Sequence, residues 1–220
     1  MNFSRTFESA PLPGVDREDA PRAVVGCDPG PEFCAFALVL RDGAALRLAE
    51  TRYVPVGDLI DSMVRGSVRN SWLDARRSFT SVKADAPFVF AFEKMSTRYG
   101  AVPGATTFDT CRNSGICQVH ATLAGAKRVY SLSASDWRVA FGGSPGMKDS
   151  ETRAEIISLF GEDADREIQR VSKAAKTRHS LDKPVSGHMR DAVGVAAGVY
   201  FLPRRGVSID SRLVWRAVDA

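Results

Sequence analysis

No apolar stretch of this chain reaches the roughly 20 residues a helix needs to cross a bilayer. The N-terminal segment also lacks the apolar core of a signal peptide, so a soluble, cytoplasmic protein is expected. Cysteine is scarce. Cys27, Cys34, Cys111 and Cys117 form no C-x-x-C pair, and two of them lie in apolar, strand-like runs. Reduced, buried thiols are therefore expected rather than a disulfide framework. Cys111, Cys117 and His120 fit no common zinc spacing. No internal repeat is present, and neither is a strong excess of one charge. The 30 Lys+Arg against 26 Asp+Glu leave a formal charge of +4, which permits a polyanionic partner without requiring one.

What is present suits one well-filled core: 220 residues, 44% of them hydrophobic and 25% charged. Residues 1–21 are polar and aperiodic and read as a loose tail, followed by a single domain over 22–220. Three strands are expected over 22–28, 33–40 and 46–54, the last two joined by the hairpin signal Arg41-Asp42-Gly43. A long helix over about 56–83 follows, with apolar residues every three to four positions. Next come a strand ending at Glu93, a Gly/Ser/Thr/Pro-rich loop over 96–107, a helix over about 108–124 and a strand over 128–132. A helix near 149–160, capped by Asp149 or Ser150, precedes a basic insert over about 161–187 and a closing helix over about 188–202. A meander followed by strands with helical crossovers predicts an α/β fold with a mixed five-stranded sheet flanked by helices.

Four polar residues stand out against this frame. Asp28 ends the apolar run Ala23-Val24-Val25-Gly26-Cys27, and Glu93 ends Phe88-Val89-Phe90-Ala91-Phe92. His188 and Asp191, three apart at the start of an apolar helix, share one face. Singly, a carboxylate at a strand end reads as a turn former or helix cap. Together, two strand-end acids and a polar helical pair can converge on hard divalent cations, which prefer oxygen ligands. The basic insert carries Arg166, Arg170, Lys173, Lys176, Arg178 and Lys183, followed by Arg190; it reads either as a solvated face or as a phosphate-tracking surface.

On these residues the chain resembles the RuvC family of Holliday junction resolvases, within the ribonuclease H-like superfamily. Val25-Gly26-Cys27-Asp28-Pro29-Gly30 is similar to the family's G-hydrophobic-D-P-G, with Cys27 in place of an aliphatic residue. Phe92-Glu93 and His188-Met189-Arg190-Asp191-Ala192 match its second and last acidic motifs, the latter in its H-x-x-D-A form. The basic insert is longer than expected between the last helices, which a phage or viral branch would accommodate.

The resemblance implies a ribonuclease H-like fold and a structure-selective endodeoxyribonuclease acting on four-way junctions. It implies two Mg²⁺ ions, or Mn²⁺ in their place, held by Asp28, Glu93, His188 and Asp191. It further implies DNA contacts from Tyr99, Lys148 and Arg190 and a homodimer, for which the long first helix is the expected interface. Phe108 and Trp137 are expected to pack in the core. Three other readings compete: a broader branched-DNA or flap nuclease, a catalytically silent DNA-binding relative, and an actin-like ATPase. Against the last, Pro31 stands where a phosphate-contacting Thr or Ser is usual.

Overall fold

The structure, a computed structural model, describes residues 21–43, 45–64, 88–95 and 104–216. Its strands are β1 (Ala23–Pro29), β2 (Phe33–Asp42), β3 (Ala45–Pro55), β4 (Phe88–Lys94), β5 (Ala126–Ser133) and β6 (Leu213–Arg216). Its helices are α1 (Val56–Val64), α2 (Ala105–Leu123), α3 (Ala134–Ala140), α4 (Asp149–Phe160), α5 (Glu162–Arg178) and α6 (Ser186–Phe201). The strand order is β3-β2-β1-β4-β5-β6. β1 pairs antiparallel with β2 and parallel with β4, so the expected mixed sheet is present. It has six strands rather than five, because β6 adds antiparallel to β5. Four residues directly after the short turn Ile209–Arg212 are too short a run to show period-two patterning.

β1 and β4 are buried on both faces, which is why they read as continuous apolar runs. Alternation divides their side chains between two cores. Ala23, Val25, Cys27, Phe88, Phe90 and Phe92 pack with Leu59 of α1 and Cys117 and Ala121 of α2. Val24, Val89 and Ala91 face the other way, against Trp137 of α3 and Val195, Ala196 and Val199 of α6.

Small residues set how closely α6 lies on the sheet. A Cβ on Gly26 would come within 2.1 Å of the Ala192 carbonyl oxygen and 2.6 Å of the Ala196 nitrogen. Glycine at 26 therefore lets β1 and α6 touch backbone to backbone. Gly194 and Gly198 do the same for Trp137, whose ring would lie 2.5 Å from a Cβ at 194. A helix rich in Gly and Ala thus becomes a socket for one large indole.

The basic insert is mostly helix. Asp165, Ile168, Ser172 and Ala175 form the buried stripe of α5 at three- and four-residue spacing, and its other charged residues lie outside that stripe. Among the contacts that hold it, the Ser172 hydroxyl accepts from the Val185 N–H at 2.9 Å, and Asp165 meets Arg190 of α6. The cap of α4 differs from expectation. Lys148 occupies the cap position with no side-chain bond of its own, and its N–H is accepted by Glu151 Oε2 at 2.7 Å. Asp149 is thereby left to pair with Arg190.

Candidate active site

Register alone brings the two strand-end acids together. Cys27 lies level with Phe92 in the parallel β1–β4 pair, so the next residues, Asp28 and Glu93, end neighbouring strands side by side. Cys27 and Phe92 point toward α2, so by alternation Asp28 and Glu93 point toward α6. The first turns of that helix carry His188 and Asp191. His188 Nδ1 lies 2.7 Å from Asp28 Oδ2, across 160 residues of sequence. The four sequence-selected groups therefore converge at one end of the sheet.

Electrostatics record how tightly they are crowded. Burial, and then repulsion from Asp28, push the Glu93 carboxyl up to about 7. Burial, followed by the charges of Asp28 and Glu93, pushes Asp191 up to about 8. Asp28 is also raised by burial, against the opposing hydrogen bond from His188. That same bond raises His188. Three half-buried carboxyls and an imidazole that hold protons against one another fit hard divalent cations, whose charge would remove the repulsion and whose preferred ligands are oxygens. The imidazole adds a nitrogen donor that suits Mn²⁺ as well.

Several supporting groups were not selected from the sequence. Trp137, expected only to fill the core, is fully buried and donates its indole N–H to Glu93 Oε2 at 2.9 Å. The Arg138 guanidinium sits 5.0 Å from the Trp137 ring centroid, and its charge acts on both Glu93 and Asp191. Its Nε is buried without a hydrogen-bond partner among the described residues. Tyr53 lies between Phe33 and His188, with centroid separations of 5.1 and 6.3 Å. A pattern search sees Trp137-Arg138 only as an apolar residue and a surface cation, because their roles depend on where α3 meets β4.

The DNA-contact expectations fare differently. Lys148 is exposed at the start of α4, next to Asp149, which approaches both Arg190 and Gly187. Arg190 is corrected: only 2% exposed, it donates to Asp149 at 2.8 Å and to Asp165 at 3.0 Å. Its guanidinium ties α4 and α5 to α6 and does not reach a surface. Position 190 is two residues beyond His188, on the flank of α6 that faces the neighbouring helices. Tyr99 lies outside the described residues, as does the expected first helix beyond residue 64. Phe108, expected to pack, is 65% exposed on α2.

The cysteines are free, as expected, with Cys27, Cys34 and Cys117 buried and Cys111 exposed. Cys111 approaches the Met95 sulfur at 3.8 Å, while Cys117 lies 3.5 Å from Cys34 on the other side of α2, so Cys111 and Cys117 do not share a site. Among the described residues no helix is long and apolar enough to cross a membrane.

No protein-family model and no curated protein matches the chain. Solved structures do. The structure of RuvC from Thermus thermophilus superposes with a TM-score of 0.53 at 19% identity, covering 84% of this chain and 97% of RuvC. T. thermophilus RuvC in complex with a Holliday junction substrate gives 0.56 at 20% identity, over 84% and 96% of the two chains. The yeast mitochondrial Holliday junction resolvase Ydc2 gives 0.50 at 14% identity, over 87% and 83%. The chain has the RuvC-like, ribonuclease H-like fold.

Proposed function

We propose that this chain is a metal-dependent endodeoxyribonuclease of the RuvC family that resolves four-way DNA junctions by paired, symmetrical nicks. One observation carries the reading: Asp28, Glu93, His188 and Asp191, delivered by β1, β4 and α6, meet at one end of a sheet with the fold of a junction-bound resolvase.

Two Mg²⁺ ions held by these four residues, or Mn²⁺ in their place, would make an attacking water acidic and neutralise charge on the leaving oxygen. The protein's own groups do the rest. Trp137 fixes the rotamer of Glu93, and Asp28 fixes the ring of His188 through the Nδ1–Oδ2 contact. Arg138 supplies positive charge beside Glu93 and Asp191, where a scissile phosphate would bring negative charge. Lys148 offers a second cation at the rim, and Tyr99 is proposed as an aromatic that stacks on an unpaired base at the junction centre. A junction presents two equivalent strands, so a two-fold dimer is the matching assembly. The exposed Phe108, Val119 and Leu123 lie on one side of α2 and offer a second candidate for that interface, the expected first helix lying largely outside the described residues.

The test is cleavage of a labelled four-way junction in the presence of equimolar linear duplex, with Mg²⁺, with Mn²⁺ and with EDTA. Symmetrical nicks confined to the junction and lost in EDTA are expected. Equal cutting of flaps and forks would replace the resolvase by a broader branched-DNA nuclease. Binding without cutting in either metal would make the chain a silent relative.

A further inference from the structure

The cations of α5 are not equivalent. In its N-terminal half each is neutralised at close range: Arg166 by Glu162 and Asp163, and Arg170 by a two-pronged contact with Glu167 at 2.7 and 2.6 Å. In the C-terminal half and the following loop stand Lys173, Lys176, Arg178 and Lys183, with Asp182 as the only acid from 173 to 183. None of these four cations has an ion pair among the described residues, and all but the half-buried Lys176 are exposed. This free charge also has a defined position. His179, the cap of the helix, packs on Phe33 at 5.0 Å, Phe33 stacks on Tyr53, and Tyr53 stacks on His188. Three ring-to-ring steps connect the end of α5 to the candidate active site. The other end is held by the Arg190 and Arg153 pairs to Asp165.

We propose that the C-terminal half of α5, with Lys173 and Lys176 toward one edge of its outward face and Arg178 toward the other, is a docking surface for the phosphate backbone of the duplex arm leading to the cleavage site. This rests on the nuclease reading above and assigns a role to the basic insert. The paired N-terminal half would then lie off the DNA path, since its cations are already neutralised. Cations in a last helical turn also stabilise the helix by opposing its dipole. That purely structural role predicts a loss of thermal stability and no change in the salt dependence of DNA binding, which separates the two.

The experiment compares the full-length chain with the Lys173→Gln/Lys176→Gln/Arg178→Gln variant. Binding to a labelled four-way junction and to linear duplex is followed by fluorescence anisotropy in EDTA, from 50 to 200 mM salt. Each phosphate contact contributes about 0.9 to the slope of log affinity against log salt, so the variant's slope should be shallower by roughly 2 to 3 on both DNAs. The Lys173→Arg/Lys176→Arg/Arg178→Lys variant should keep the wild-type slope. An unchanged slope in the glutamine variant while the wild type binds junctions would overturn the docking surface alone and leave an acidic protein as the partner of this face. A wild type that binds neither DNA would overturn the nuclease reading and the docking surface with it. Circular dichroism melting of the same variants reports whether the helix is intact.

Discussion

The indole N–H of Trp137 donates to Glu93 Oε2 at 2.9 Å, joining a side chain seated between two glycines of α6 to the carboxyl that ends β4. The contact makes the packing of α6 against α3 part of the geometry of the candidate active site. Gly194 and Gly198 fix where the ring lies, the ring fixes the carboxyl, and the carboxyl lies beside Asp28 and Asp191.

Trp137→Phe tests that relationship. Phenylalanine keeps much of the ring contact and removes the donor, so Glu93 loses its positioning bond. Groups that orient metal ligands typically contribute 10–100-fold to metal affinity. The Mg²⁺ concentration giving half-maximal cleavage should rise roughly tenfold, with the fold retained. A midpoint equal to wild type would show that the indole does not hold Glu93 in solution.

The crowded carboxyls predict an inverted pH dependence of stability without metal. Burial, and then the neighbouring carboxylates, push Glu93 up to about 7 and Asp191 up to about 8 in the folded chain, so the folded state holds protons that the unfolded chain has released. Stability should therefore fall as pH rises from about 5 to 8 in EDTA, by the linkage of proton binding to folding. The raised His188 acts in the same direction above its unfolded value. Mg²⁺ should remove the decline and release protons on binding, measurable by calorimetry in buffers of different ionisation enthalpy. A melting temperature that rises steadily over this range in EDTA would mean the carboxyls are not crowded as described.

Much of this arrangement was legible in the chain because it rests on local rules. Asp28 and Glu93 could be found because buried central strands read as apolar runs and each run ends on an acid; His188 and Asp191 could be paired from helical spacing. The convergence itself required register, which no local pattern carries. Trp137 and Arg138 were invisible as site residues for the same reason, since an indole in an apolar context reads as core until the helix is placed against β4. Arg190, which the resemblance places among the DNA contacts, turns inward because of partners that the sequence pattern does not reveal. Its partners Asp149 and Asp165 lie 41 and 25 residues away, too far for any helical spacing rule.

Arg190 should consequently act on stability. Its guanidinium and the Asp165 carboxylate are 3% and 4% exposed, and removing one partner of such a pair leaves the other charge buried. Arg190→Met should destabilise the chain by about 3 kcal/mol, at the low end for a broken buried pair because Arg153 still reaches Asp165. Urea titration measures this directly. Full stability with weakened DNA binding would restore the surface role first expected of this residue.

Asp28 and His188 provide a test that needs neither metal nor DNA. The 2.7 Å contact between Asp28 Oδ2 and His188 Nδ1 is the first cause of the raised His188 value, so it should be strongest when the imidazole is charged. Asp28→Asn keeps an oxygen able to accept from Nδ1 and removes the negative charge, so His188 should titrate at lower pH. The chain has only three histidines, and burial depresses His120 to about 4; a His179→Gln control assigns the His188 signal. Imidazole titration by NMR in EDTA gives the value. The same variant should lose cleavage yet bind junctions at least as well as wild type, because one fewer negative charge faces the phosphates. An unshifted His188 would mean the two groups do not form an ion pair in solution, and the imidazole would then be free to serve as a ligand without Asp28 to orient it.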